Sequence, residues 1–146
     1  MTKGMYESIE VDAPAEAIYA IAADVAAYPD WAQGVSSVEV LAEDAEGRVS
    51  EAAFTISGFV KEISYTLRYT HEPPHRIAWE AVPGGDVKQM TGSYEFKPSN
   101  GDKTTVTYAL RVEPNFRVPG FAMRQGEKQI ITSALRGLKR RAEEGR

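Results

Sequence analysis

The sequence predicts an α+β fold: one strand, two small helices, a six-stranded antiparallel meander, and a long C-terminal helix covering the sheet. Three observations predict it. From about Pro119 to Glu144, Met123, Glu127, Ile130, Ile131, Ala134, Leu138 and Ala142 recur at the i, i+3, i+4, i+7 spacing of a buried stripe. Between Val35 and Val112, six consecutive runs alternate apolar with polar residues. Only short turn segments join those runs, which makes neighbours antiparallel, because parallel strands need long crossovers.

Each element has its own signal. Tyr6 to Val11 alternates, with Ile9 and Val11 on one side, and reads as the first strand. Asp12-Ala13-Pro14 then opens a helix, with Asp12 as candidate cap and Pro14 where a missing N–H costs nothing. Ala17, Ile18, Ile21, Ala22 and Val25 form its inner face. Pro29 interrupts it, so Val25 to Trp31 is expected as a second short helix or turn, ending near Gly34. Val38 and Val40 share a side in the next run; a turn at Asp44-Ala45-Glu46-Gly47 leads to Ala52, Phe54 and Ile56, and Gly58 turns again. Ile63, Tyr65, Leu67 and Tyr69 follow, then a proline turn at His71-Glu72-Pro73-Pro74-His75. Ile77, Trp79 and Ala81 precede Pro83-Gly84-Gly85-Asp86; Met90, Gly92, Tyr94 and Phe96 precede Ser99-Asn100-Gly101-Asp102; Val106, Tyr108, Leu110 and Val112 end the meander. One apolar and one polar face per strand means a sheet covered on one side. A helix of about 26 residues is ~39 Å long and a nine-residue strand ~30 Å, so rod and sheet match in scale.

The chain's 146 residues predict one domain, residues 1–146, able to bury a core without staples. A net charge of -4 gives no support for nucleic-acid binding, and Lys139-Arg140-Arg141 reads as cations at a helix C-terminus. The absence of cysteine excludes disulfides, thiolate nucleophiles and sulfur-ligated metals. Met1-Thr2-Lys3-Gly4 leads straight into a strand, with no signal-like segment and no run long enough to span a bilayer, so a cytoplasmic protein is expected. His71 and His75, the two histidines, share the expected proline turn, away from any buried serine. Neither a metal site, a nucleophilic triad nor a cofactor is expected, and Gly84-Gly85, with no helix after it, reads as a turn and not a phosphate cradle.

The inward-facing residues point to a binding site. Tyr65, Tyr69, Trp79, Tyr94, Phe96 and Tyr108 share the apolar parity of adjacent strands, and Phe54 joins them. Phe54, Phe96 and Tyr108 suit ordinary core. Four polar-tipped aromatics on one face, Tyr65, Tyr69, Trp79 and Tyr94, suit a partly wet cavity equally well, since a buried hydroxyl or indole N–H needs a partner. Gly92 on that face leaves space, or marks a bulge. Glu127 sits mid-stripe on the long helix, where a carboxylate must pair, hydrogen-bond or hold a proton. It is either a polar anchor or acid/base in the pocket, or a residue at the cavity mouth paired with Arg124 or Arg117. Phe121 and Met123, with the Asn115–Gly120 loop, are candidates for a lid.

Several motifs, in this order and spacing, resemble the helix-grip (START, or Bet v 1-like; SRPBCC) superfamily, and within it the polyketide cyclase/dehydrase-like branch. They are Ile9-Glu10-Val11-Asp12-Ala13-Pro14, Asp24-Val25, Tyr28-Pro29-Asp30-Trp31, Thr104-Thr105-Val106-Thr107-Tyr108, Val118-Pro119-Gly120-Phe121 and Ala134-Leu135-Arg136-Gly137-Leu138-Lys139. The resemblance covers nearly the whole chain. It implies a curved seven-stranded sheet gripping the long helix around a cavity for an apolar or amphipathic molecule, with Trp31 near the entrance. Members include carriers, enzymes and proteins with no known ligand. Aromatase/cyclases of this fold are thought to use polar and cationic pocket residues, whereas Arg68, Arg76 and Arg111 here have the outward parity. The expected function is therefore binding or carriage of a lipid, polyketide or isoprenoid-like molecule. Trp31, Phe54, Tyr65, Tyr69, Trp79, Tyr94, Met123, Glu127 and Ile131 are the candidate ligand contacts. A cyclase/dehydratase acting in the same cavity and a protein-interaction module are the alternatives, and the oligomeric state stays open.

Overall fold

The structure, a computed structural model, describes residues 4–32, 34–57 and 62–144. Seven strands form one antiparallel sheet: β1 (Met5–Val11), β2 (Val35–Glu43), β3 (Val49–Ile56), β4 (Ile63–Glu72), β5 (Arg76–Ala81), β6 (Val87–Pro98) and β7 (Thr104–Pro114). Helix α1 (Ala15–Ala23), a 3-10 turn (Val25–Ala27) and α2 (Tyr28–Trp31) lie between β1 and β2, and α3 (Gly120–Glu144) closes the chain. The sheet order is β1-β7-β6-β5-β4-β3-β2, so the meander runs unbroken from β2 to β7 and β1 adds to its last strand. Register shifts in the β2–β3 and β6–β7 pairs insert extra residues that increase local twist and bend, which suits the curvature of this helix-grip fold. The expected Gly58 turn lies outside the described residues. No helix among the described residues is long and apolar enough to cross a membrane.

Period-two alternation decides which side of each strand is buried. Ala52, Phe54, Ile56, Tyr65, Leu67, Ile77, Trp79, Met90, Tyr94, Phe96, Val106, Tyr108, Leu110 and Val112 all point inward and are buried. Against them α3 buries Glu127, Ile131, Leu135, Gly137, Leu138 and Ala142. Leu135 and Gly137 lie outside the stripe expected from the sequence. The reason is that α3 is flanked on two sides, by the sheet and by the short helices. The carbonyl of Trp31 approaches Gly137 so closely that a Cβ there would sit 2.5 Å from it.

The C-terminal half of α3 is tied down. Glu143 accepts the Asp12 N–H at 2.9 Å, and Lys139 Nζ donates to the Glu10 carbonyl at 3.2 Å. Asp12 thus takes part through its backbone, and α1 has Pro14 at its N-cap with no side-chain cap bond. Thr104, fully buried, donates its hydroxyl to the Ala13 carbonyl at 2.8 Å and ties β7 to the entry of α1. The close approaches of α3 are to β1, β7, α1 and α2. Over β3 to β6, its N-terminal half leaves a gap.

Candidate functional site

The gap is a hollow in two chambers. The first, about 150 Å³ for the centre of a water-sized sphere, is walled by Phe54 of β3, Tyr65, Leu67 and Tyr69 of β4, Trp79 of β5, Met90 and Tyr94 of β6 and Tyr108 of β7. It is closed by Tyr28 and by Gln129, Ile130, Ser133 and Ala134 of α3. The second, about 140 Å³, lies toward the start of α3 and is lined by Val87, Val112, Phe116, Val118, Ala122, Met123, Gly126 and Glu127 among others. Ile56, Tyr65, Met90 and Ile130 line both and form the partition. A methionine in that position can re-pack cheaply, since its side chain is unbranched and flexible.

Strand register builds the aromatic wall. Phe54 is paired directly with Tyr65, Tyr69 with Trp79, and Tyr94 with Tyr108. Ring centroids stand 5.5 Å apart for Phe54–Tyr65, 6.1 Å for Tyr69–Trp79 and 4.8 Å for Tyr94–Tyr108. Trp79 faces Gly92, where a Cβ would lie 2.5 Å from the indole, so the space that glycine leaves is filled by Trp79 and not by the hollow.

Among the described residues the hydroxyls of Tyr65, Tyr69, Tyr94 and Tyr108 have no hydrogen-bond partner, yet they are not sealed in: the buried unpartnered side-chain polar atom found there is Trp31 Nε1. The four phenols therefore open onto the first chamber. Tyr28 differs, because its hydroxyl donates to the Ala22 carbonyl. Loss of water pushes the pKa of all five phenols above the ordinary value, and for Tyr28, Tyr65, Tyr69 and Tyr94 neighbouring phenols push the same way. At neutral pH they are O–H groups, able to donate and accept but not to act as phenolates.

Glu127 is buried, 4% exposed, and its Oε2 accepts the Val112 N–H at 3.1 Å. Among the described residues it pairs with neither Arg117 nor Arg124, both exposed. Of the candidate contacts, Phe54, Tyr65, Tyr69, Trp79 and Tyr94 meet in the first chamber, and Met123 and Glu127 in the second. Trp31 and Ile131 line neither. Trp31 stands edge-on to Tyr28 with centroids 5.0 Å apart and packs on Gly137, and Ile131 is fully buried. Phe121 is 70% exposed; Phe116 and Val118 turn inward in its place.

Sequence reasoning missed Tyr28, Gln129 and Ser133. Nothing in a four-residue helix reveals which way Tyr28 points, whereas Gln129 and Ser133 share a helical face with Gly126 and Ile130, a signal that was available. It also put His71 in a solvent-facing turn. The period-two run continues through it, and His71 belongs to β4. Its Nε2 donates to the Val49 carbonyl at 2.7 Å, so in the neutral ring Nδ1 accepts from the Tyr19 hydroxyl at 3.0 Å. Among the described residues no three histidine or acidic side chains converge on one point.

Residues 11–139 match the family described as polyketide cyclase / dehydrase and lipid transport. The chain belongs to that family. The START superfamily protein from Mycobacterium smegmatis has a similar fold over 98% of this chain and 99% of its own, at 22% identity and a TM-score of 0.88. An aromatase/cyclase from Streptomyces sp. R1128 is similar at 18% identity and a TM-score of 0.79, covering 97% of this chain and 93% of its own. A Thermus thermophilus protein is similar at 21% identity and a TM-score of 0.81, covering 97% of this chain and 98% of its own. At these identities the likeness is one of fold. No curated protein matches the sequence. The family's description covers both polyketide cyclisation or dehydration and lipid transport.

Proposed function

We propose that the protein binds and carries an apolar or amphipathic small molecule, of lipid, polyketide or isoprenoid-like character, in the two-chambered hollow. The observation that carries this reading is the set of four phenol hydroxyls open to the first chamber without partners. In a dry core each would cost ~1–3 kcal/mol, whereas a ligand or water in the chamber satisfies it. Apart from Ser57, Gln129 and Ser133 the rest of that chamber's described wall is apolar, so the phenols and these few polar groups would set the orientation of a body held by burial. Trp31 in this reading supports the entrance side through Tyr28, and Ile131, fully buried on α3, belongs to the packed core beside the hollow.

Cyclisation or dehydration is the second reading, supported by the family description and by phenols suited to donating to ligand carbonyls. Carriage is favoured because no imidazole, amine or guanidinium is among the described lining residues, phenols held protonated are not bases, and the Glu127 carboxylate lines the second chamber and not the first, where Tyr69, Tyr94 and Tyr108 stand. An interaction module is least supported: among the described residues the exposed large apolar side chains Tyr6, Leu41 and Phe121 stand on β1, on β2 at the opposite sheet edge, and on α3.

Native mass spectrometry of protein purified without detergent, followed by extraction of what co-purifies, tests the proposal. Carriage expects a one-to-one complex whose ligand is recovered unchanged after incubation with fresh protein. Conversion of that ligand would favour the enzyme. Failure to take up any apolar molecule would contradict both.

A further inference from the structure

We infer that the second chamber selects the ligand's polar end, taking a hydrogen-bond donor, hydroxyl or ammonium, and rejecting an acid. This rests on the carriage reading above and adds the chemical class of the cargo. Glu127, with only 4% of its surface exposed, stands between apolar walls that include Val87, Phe116, Val118 and Met123. One carboxylate oxygen is used: Oε2 accepts from Val112, on the stretch of β7 beyond its first β1 pair, Met5–Leu110. The other has no partner among the described residues and is not sealed off by neighbouring atoms, so it opens on the chamber. If the Val112 bond were its whole role, one oxygen would remain unmet in an apolar space, at the cost that burying an unpaired acceptor carries.

The surrounding charges set the sign. No lysine, arginine or histidine is among the described residues lining either chamber. Lys88 and Arg117 line an adjoining surface groove, with Glu113, and do not line the chamber itself. An anionic head would thus enter an apolar space beside a carboxylate, with no cation among the described lining residues to offset either. A hydroxyl or ammonium would instead complete the carboxylate's hydrogen bonding, and such charge-assisted bonds are the strong ones.

Three chains differing only in their heads, dodecylamine, dodecanol and dodecanoate, displacing the neutral dye N-phenyl-1-naphthylamine below their micelle concentrations, test this. The amine and the alcohol are expected to bind about tenfold or more tighter than the acid. Glu127→Gln keeps an acceptor for Val112 and removes the charge. It should bring the amine and the acid to within about threefold of each other, with circular dichroism showing that the variant is folded. Loss of the amine's lead over the alcohol in that variant identifies ammonium as the preferred head; an unchanged ranking of amine and alcohol above acid, with wild-type gaps, overturns the role of Glu127. Dodecanoate binding as tightly as the amine to the wild type overturns the inference and leaves carriage standing. No dye binding overturns carriage, and this inference with it. Should Glu127→Gln fail to fold, the wild-type ranking of the three heads decides alone.

Discussion

Tyr28 and Tyr108 are both buried aromatics that line the first chamber, and both have phenols kept protonated by burial. Their hydroxyls meet different surroundings. The Tyr28 hydroxyl holds the Ala22 carbonyl at the end of α1, so Tyr28→Phe leaves a buried acceptor unmet and should lower stability by about 1–3 kcal/mol. The Tyr108 hydroxyl opens on the hollow, so Tyr108→Phe should change stability by less than ~0.5 kcal/mol. Urea unfolding of the two variants checks the contrast, and equal losses would contradict it. Parity along the strands was enough to bring Phe54, Tyr65, Tyr69, Trp79 and Tyr94 to one face, because a period of two leaves each side chain only two directions. The use of each hydroxyl was not legible, because partners such as the Ala22 carbonyl or an open chamber depend on contacts that no local pattern encodes. The carboxylate of Glu127 is a third case. Its burial followed from helical spacing, whereas its Val112 partner comes from a strand that register places beside it.

At the scale of the element, α3 shows where periodicity stops being informative. Its bounds, Gly120–Glu144, follow the apolar repeat from about Pro119 to Glu144 closely, and Glu127, Ile131, Leu138 and Ala142 are buried where the repeat puts them. Leu135 and Gly137 are buried as well, because α2 presses on a second face through Trp31. Gly137 gives a test whose sign decides the point. In an open helix Gly→Ala gains up to about 1 kcal/mol. Here the added Cβ would lie 2.5 Å from a backbone oxygen and 3.1 Å from the Trp31 ring, and a backbone atom cannot swing aside. Gly137→Ala should therefore lose about 1–3 kcal/mol in chemical denaturation, with a shift in tryptophan fluorescence; a gain would contradict the packing. His71 shows the converse: a proline two residues later suggested a turn, but the alternation of β4 ran on, and pairing with β5 won.

The whole molecule joins one tightly packed end to one hollow end, and its behaviour in alkali should report the packing. Burial holds the phenols of Tyr28, Tyr65, Tyr69, Tyr94 and Tyr108 above the ordinary tyrosine value of 10.0, chiefly through loss of water. The unfolded chain therefore releases these protons first. Their contribution to stability is intact below pH 10 and is lost as pH rises from there toward the folded values. Phenolate absorbance from these five residues should appear together with loss of secondary structure, in one cooperative step. Gradual ionisation of the intact fold would mean phenols in contact with bulk water.

The order of elements and the single covered sheet face were legible because they follow from alternation and turn length. A cavity was expected from the polar-tipped aromatics on one face and from the family resemblance; its division into two chambers was not legible, because that depends on how the sheet bends away from α3, with bulges in β2–β3 and β6–β7. That hollow is tested most directly by titrating the protein with N-phenyl-1-naphthylamine and comparing wild type with Ala134→Trp, which fills the first chamber from α3. The account predicts saturable one-to-one binding by wild type and at least about tenfold weaker binding by the filled variant, with circular dichroism unchanged. Equal binding by the two folded proteins would contradict it.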